Sequence, residues 1–464
     1  MSEYIEYVSW ELKSSLVLVF LSGIIAFSVI AISYFIYKKK HKGKKAFPWK
    51  NVFLWLIFIA YLLVVLYATF LRHAGGYREW NLHMFRAWRE AWNDFSAKNW
   101  ANILLNIALF IPMGFLLPSL AKKMRRWYLT IPAAFGLSLA IELLQLAFSR
   151  GICDVDDLFA NTLGSFVGFF AFMALHSLFT EKEKRLRSFT TYGFTTMLPV
   201  IAIAAIFAAY QLKEYGNLPN AAAYTNNTDG IQWTLNCDLS TVENSASVYR
   251  TQALTKKDCN ALADELAALV GEEVAMASYY QEMAYYNLTK GILKIFYYDG
   301  SFEISISDHN QTQWPVVSRE DIVKALERFP VVIPASAKFR AEEDGWYSFT
   351  CDKVITGAVM LDGTLRCRHS ADGLIRQIDN HLVWYAHYKD TPVISPQDAY
   401  SLLRKGKFND GGFLEYQKPT DIYVTDCSMD YAIDTKGFYQ PVYLFTVTSN
   451  DGNYENVIMI PAMK

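Results

Sequence analysis

Six apolar runs within the first 212 of 464 residues constrain this chain more than any other feature. A helix rises about 1.5 Å per residue, so about 20 apolar residues cross a hydrocarbon core about 30 Å thick. The runs are Ser15–Tyr37, Val52–Leu71, Ala101–Leu120, Trp127–Phe148, Leu158–Phe179 and Thr191–Leu212. The first, second and last are plainly apolar. The middle three carry Asn106, Glu142, Gln145 and Asn161, yet short loops tie them to unmistakable spans. The pattern predicts an all-α polytopic membrane bundle of about six transmembrane helices over residues 1–212. An extracytoplasmic α+β domain with antiparallel sheets follows it.

Charge placement sets the expected topology. The first run is no cleavable signal peptide, because Glu3, Glu6 and Glu11 precede it against a single Lys13, the reverse of a basic leader. The flank after it reads Lys38-Lys39-Lys40-His41-Lys42-Gly43-Lys44-Lys45, which places that end in the cytoplasm and the N-terminus outside. The next two inner loops are also basic: Lys122, Lys123, Arg125 and Arg126, then Lys182, Lys184, Arg185 and Arg187. An even number of spans returns the chain to the outside near Gln211. The expected location is therefore the cell (plasma) membrane, multi-pass, with the N-terminus and the C-terminal domain both extracytoplasmic. The net charge of -1 gives no reason to expect a nucleic-acid partner.

Residues 213–230 are polar and rich in Asn and Ala, and read as a short stalk. Residues 231–464 then change periodicity. Leu254–Val270 is amphipathic, with strand-like runs at Ile292–Tyr298 and Ser301–Ser307 joined by Asp299-Gly300. A second round starts at Ser318–Arg328. It continues through Trp346–Cys351, Ala358–Leu361 and Thr364–Arg368, with Asp362-Gly363 as the turn. A third starts at Ser395-Pro396, with proline at the first helical position, and ends in strands near 420–424, 442–448 and 453–460. The third round, ISPQDAYSLLRKGKF through DYAIDTKGFYQPVYLF to VIMIPA, resembles PepSY-type regulatory modules. That resemblance implies binding or regulation. All six cysteines fall on the predicted outer side, where disulfides are chemically permitted, although small buried side chains are the plainer account. His309, His369, His381 and His387 show no metal-ligand spacing, so neither a metal nor a cofactor is expected.

The polar residues of the middle spans need a reason to be there. Glu142 and Gln145 share a helix face, which Ser149 and Arg150 continue at the outer end. On the next span Asp157, Asn161, Gly164 and Gly168 line one face, and Asp154 precedes them. Asn106 lies on the span before. Ionisable groups at membrane depth are costly unless paired or hydrated, and they mark functional sites by default. The sequence therefore predicts a ligand pocket opening outward, formed by Asn106, Glu142, Gln145, Arg150, Asp154, Asp157 and Asn161. The plainer reading is interhelical glue, with Asp154 as a helix cap.

NIALFIPMGFLLP (Asn106 to Pro118) and IELLQLAFSRGICDVDDLFANTLGSFVG (Ile141 to Gly168) together resemble the VanZ-like family over about residues 52–180. The resemblance rests on Asn106, Phe110, Pro112, Gly114, Glu142, Gln145, Arg150, Asp154, Asp157, Asn161 and Gly164. It implies a role in resistance to teicoplanin-type glycopeptides; the outward pocket is expected to bind a membrane lipid, a lipid-linked amphiphile or such an antibiotic. The alternative is a membrane enzyme acting on a lipid head group, with Glu142 and Asp157 as acid and base. No activated nucleophile, metal cluster or phosphate loop supports that alternative, so binding is the favoured class. The basic loops generate one test. Cysteines placed at residues 230 or 300 should be labelled in intact cells and one at residue 123 should not, and labelling at 123 from outside would overturn the topology.

Overall fold

Among the described residues, five helices of the computed structural model are long and apolar enough to cross a membrane. The structure describes residues 34, 37–39, 48–71, 78–180, 184–251, 253–280, 283–307, 316–370, 373–449 and 455–464. Except for Tyr34 and Tyr37, the first expected span lies outside the described residues. The other five expected spans correspond to α1 (Trp49–Leu66), α3 (Ala97–Leu120), α4 (Trp127–Ala147), α5 (Val155–Thr180) and α6 (Arg185–Leu212). A short helix, α2 (Arg86–Asp94), precedes α3, and a π-turn over Tyr67–Leu71 ends α1. Helix α3 starts four residues before the apolar run because Ser96 caps it, accepting from the Asn99 amide at 3.2 Å.

The chain divides into two units between Glu214 and Tyr215. In the helical unit, α3 and α5 pack backbone against backbone. A Cβ at Gly114 would overlap the Ser165 carbonyl, one at Gly164 the Ile107 carbonyl, and one at Gly168 the Ile111 carbonyl. Spaced along the two helices, these three glycines form a seam that only hydrogen side chains permit. Around it, Phe110, Met113, Leu116, Ala134 and Ile141 are buried with Phe58 and Val65 of α1. A second cluster joins Trp100, Ile103, Ile107 and Ala160 to Ile203, Ile206 and Phe207 of α6.

The second unit carries the antiparallel-rich sheet. Its strands are β3 (Gln232–Leu235), β4 (Ser245–Arg250), β5 (Val274–Tyr279), β6 (Met283–Leu288), β7 (Gly291–Phe296), β8 (Phe302–Ile306), β9 (Lys338–Ala341), β10 (Trp346–Thr356), β11 (Val359–His369), β12 (Ile375–Asn380), β13 (Val383–Pro392), β14 (Asp421–Ile433), β15 (Phe438–Ser449) and β16 (Glu455–Pro461). Every pairing between them is antiparallel except β3 with β14. Helices α7 (Lys256–Leu269), α8 (Arg319–Leu326) and α9 (Pro396–Arg404) each precede a group of strands. Each starts the same way, with Thr255, Ser318 and Ser395 accepting from the amides of Asp258, Asp321 and Asp398. That shared start is the local chemistry behind the threefold helix-then-strands order.

Two expectations change. Asp362-Gly363 is not a turn, because Val359–His369 is one strand and the hairpin closes at Gly357 (φ 61°). Gly363 sits inside the strand because a Cβ there would overlap the His381 carbonyl, while Asp362 accepts from the Lys353 amide (3.2 Å) and the Tyr439 hydroxyl (2.5 Å). The expected stalk is bonded into the second unit. The Gly216 amide donates to buried Asp434 at 2.7 Å, Asn217 exchanges bonds with Thr435, and Asn226 Nδ2 donates to the Phe408 carbonyl at 2.7 Å. Asn and Gly there satisfy loop backbone; polarity alone suggested a free linker. All six cysteines are free thiols, with Cys259, Cys351 and Cys367 buried.

The glycine seam generates a stability test. Gly164→Ala should destabilise the helical bundle by about 1–3 kcal/mol, the usual cost of overpacking. Gly136→Ala, where nothing lies within 4 Å of the added carbon, should be neutral or stabilising by up to about 1 kcal/mol. Thermal unfolding in detergent reads both, and equal effects would remove the seam as the organising contact.

Candidate functional site

The N-terminal ends of α3 and α5 and the C-terminal end of α4 gather polar residues of the bundle. The loop before α5 is held as a short parallel pair, β1 (Arg78–Asn81) with β2 (Gly151–Asp154). Asp154 caps α5, accepting from the Asp156 amide at 2.8 Å, and Asn81 Nδ2 donates to both its carboxylate oxygens at 3.2 Å. The Asp154 amide in turn donates to Glu142 Oε2 at 3.0 Å. Glu142 is only 3% exposed. One turn earlier on α4 lies buried Ser138, whose hydroxyl accepts from Asn161 Nδ2 at 2.9 Å. Asn161 stands one turn after Asp157 on α5, and Asp157 Oδ1 accepts from Asn106 Nδ2 of α3 at 2.6 Å.

The sequence-predicted residues therefore divide. Asn106, Glu142, Asp154, Asp157 and Asn161 join a polar core between α3, α4 and α5. Gln145 turns elsewhere, donating from Nε2 to the Thr69 carbonyl in the π-turn at 2.7 Å. Arg150 ends the α4 side of the loop, its amide bonded to the Gln145 carbonyl at 2.9 Å.

Sequence reasoning missed Ser138, Asn81 and Asp156. Ser138 was legible, since it lies four residues before Glu142 on the same helical face. Asn81 gave no signal, because its role depends on the β1–β2 pairing of distant loops. Asp156 is 2% exposed and supports the loop instead of lining the core. Its two oxygens accept from the amides of Phe85 (2.5 Å) and Ala87 (2.7 Å). Phe85 has φ 65°, a conformation that bulky residues adopt only when surroundings impose it. Asp156 is the group that imposes it, at the start of α2.

Fold and site together describe a helical unit with five helices long and apolar enough to cross a membrane among the described residues, and a polar core among three of them. The VanZ/LLP1 family model matches residues 58–177, from within α1 to near the end of α5. That interval contains every polar-core residue named above. Among solved structures, the chain is similar to the Bacillus megaterium YpeB C-terminal domain. The two are 13% identical, with TM-score 0.21, over 46% of this chain and 95% of that one. No curated protein matches the chain.

The Asp156 contacts generate a test. Asp156→Ala would leave two backbone amides without their acceptor, each worth about 1–3 kcal/mol when buried. Hydrogen exchange should show the Phe85 and Ala87 amides losing protection while the middle of α3 keeps its own. Unchanged protection at Phe85 would show that Asp156 does not hold this loop.

Proposed function

We propose that this chain is a cell-envelope protein that binds the head group of an amphiphile or lipid-linked ligand in the polar core of its VanZ-like segment. The core opens to the outer face in this reading, and binding contributes to resistance against teicoplanin-type glycopeptides. One observation carries it: Glu142 and Asn161 are each 3% exposed inside an apolar bundle, next to Asp157. A purely structural brace needs no carboxylate there, since neutral amides and hydroxyls cross-link helices at lower desolvation cost. Arg150, in the loop after α4, supplies a fork suited to a phosphate or carboxylate on the same ligand. The match at residues 58–177 supports the family part of the reading. The second unit, with its own sheet and cores, acts as a sensing or shielding domain.

Expression in a susceptible host is the direct test. The wild type should raise tolerance to teicoplanin, which carries an acyl tail, more than to vancomycin, which lacks one. Glu142→Gln should remove that gain at equal expression. Equal protection by wild type and variant would reject the core as the binding site.

A further inference from the structure

We infer that the group received by this core is a cation, and specifically a primary ammonium carried by an amphiphile; the inference rests on the reading of the core as a head-group pocket. The charged neighbours that act on Glu142 are Asp157 and Asp154, and those that act on Asp157 are Asp154 and Asp156. All are acidic. Among the described residues, no lysine or arginine pairs with Glu142 or Asp157. Carboxylates removed from water in an apolar bundle need a compensating positive charge or a proton. An anionic head group placed in this core would add to the repulsion.

Hydrogen-bond accounting points the same way. Glu142 accepts one bond, at Oε2, and Asp157 accepts one, at Oδ1. Asn161 uses its Nδ2 on Ser138, which leaves its Oδ1 buried with no donor. Ser138 and Glu142 are one turn apart on α4, and Asp157 and Asn161 are one turn apart on α5. The Asn161–Ser138 bond therefore bridges the two helices one turn further along α5 than Asp157. Among the described residues, Asn161 Oδ1 is a buried acceptor with no donor, beside two carboxylates that accept one bond each. An ammonium carries three donors and no acceptor. Buried polar atoms are nearly always satisfied, so an acidic site with an unspent buried acceptor favours a ligand that can donate. Among the described residues, no group of three or more His, Cys, Asp or Glu side chains is arranged to hold a metal ion. The oxygens suit an organic cation better than a divalent ion.

The test uses the full-length protein in phosphatidylcholine nanodiscs, titrated with radiolabelled dodecylamine, dodecanol and dodecyl phosphate against empty nanodiscs. Saturable dodecylamine binding should exceed that of the other two probes by about tenfold or more, the scale of one charge-assisted hydrogen bond. Glu142→Gln and Asp157→Asn should each lower dodecylamine binding by about tenfold, and Asn161→Ala by less. Dodecanol or dodecyl phosphate binding as tightly as dodecylamine would overturn the cation while leaving the pocket. Failure of all three probes to bind saturably would reject the pocket and the cation together. Folded Glu142→Gln and Asp157→Asn variants that keep full selectivity for the amine would place the cation elsewhere. Wild-type selectivity tests the inference even if a variant fails to fold.

Discussion

The contact between α3 and α5 governs the rest of the helical unit. Gly114, Gly164 and Gly168 let carbonyl groups of one helix rest where side chains of the other would stand. Helix association in lipid has little hydrophobic drive and depends on close packing and on bonds between helices. The glycines supply the first, and Asn106 to Asp157 with Ser165 to the Phe110 carbonyl supply the second. Because Asn106 lies one residue before Ile107, whose carbonyl faces Gly164, the same close approach that makes the seam brings Asn106 within reach of Asp157. Packing and polar core are one arrangement.

Helix α4 enters on different terms. It has Ser138 and Glu142 directed at the core, and its Gly136 has open space around it. Its polar contacts with α5 are the Asn161–Ser138 bond and the Asp154 amide on Glu142. The loop from Gly151 to Asp154 thus sets where Glu142 sits, and β1 sets where that loop sits. Strain at Phe85 is retained at the same end of the bundle, held by Asp156. Strained backbone next to a buried charge cluster is typical of a place where structure is maintained for function.

Much of this was legible in the sequence, for stated physical reasons. Apolar length and proline-tolerant helices gave α1 and α3 to α6 within a few residues, because membrane thickness leaves little freedom. Glu142, Asp157 and Asn161 stood out because polar groups are rare at that depth. The capping residues Ser318 and Ser395 announced α8 and α9. What failed was anything decided by contacts between distant segments. Asp362-Gly363 has the composition of a turn, yet Gly363 is there to let the His381 carbonyl approach. Residues 213–230 read as a stalk, yet Asp434 gathers the amides of Gly216, Lys436 and Phe438 together with Gln440 Nε2. Gln145 was placed in the pocket by its spacing from Glu142, but a carbonyl in the π-turn after α1 takes its amide.

The polar core and the glycine seam place opposite demands on the same helices, and their separation along α5 reconciles them. Gly164 and Gly168 lie deeper in the helix than Asp157 and Asn161, so the rigid contact is below the polar one. Charge burial is unfavourable wherever it occurs, and a bundle with no other source of cohesion would open at that point. Here the glycine seam supplies cohesion from contacts that contain no ionisable group, and the carboxylates are left to the end where the β1–β2 loop, Asn81 and Asn106 can restrain them.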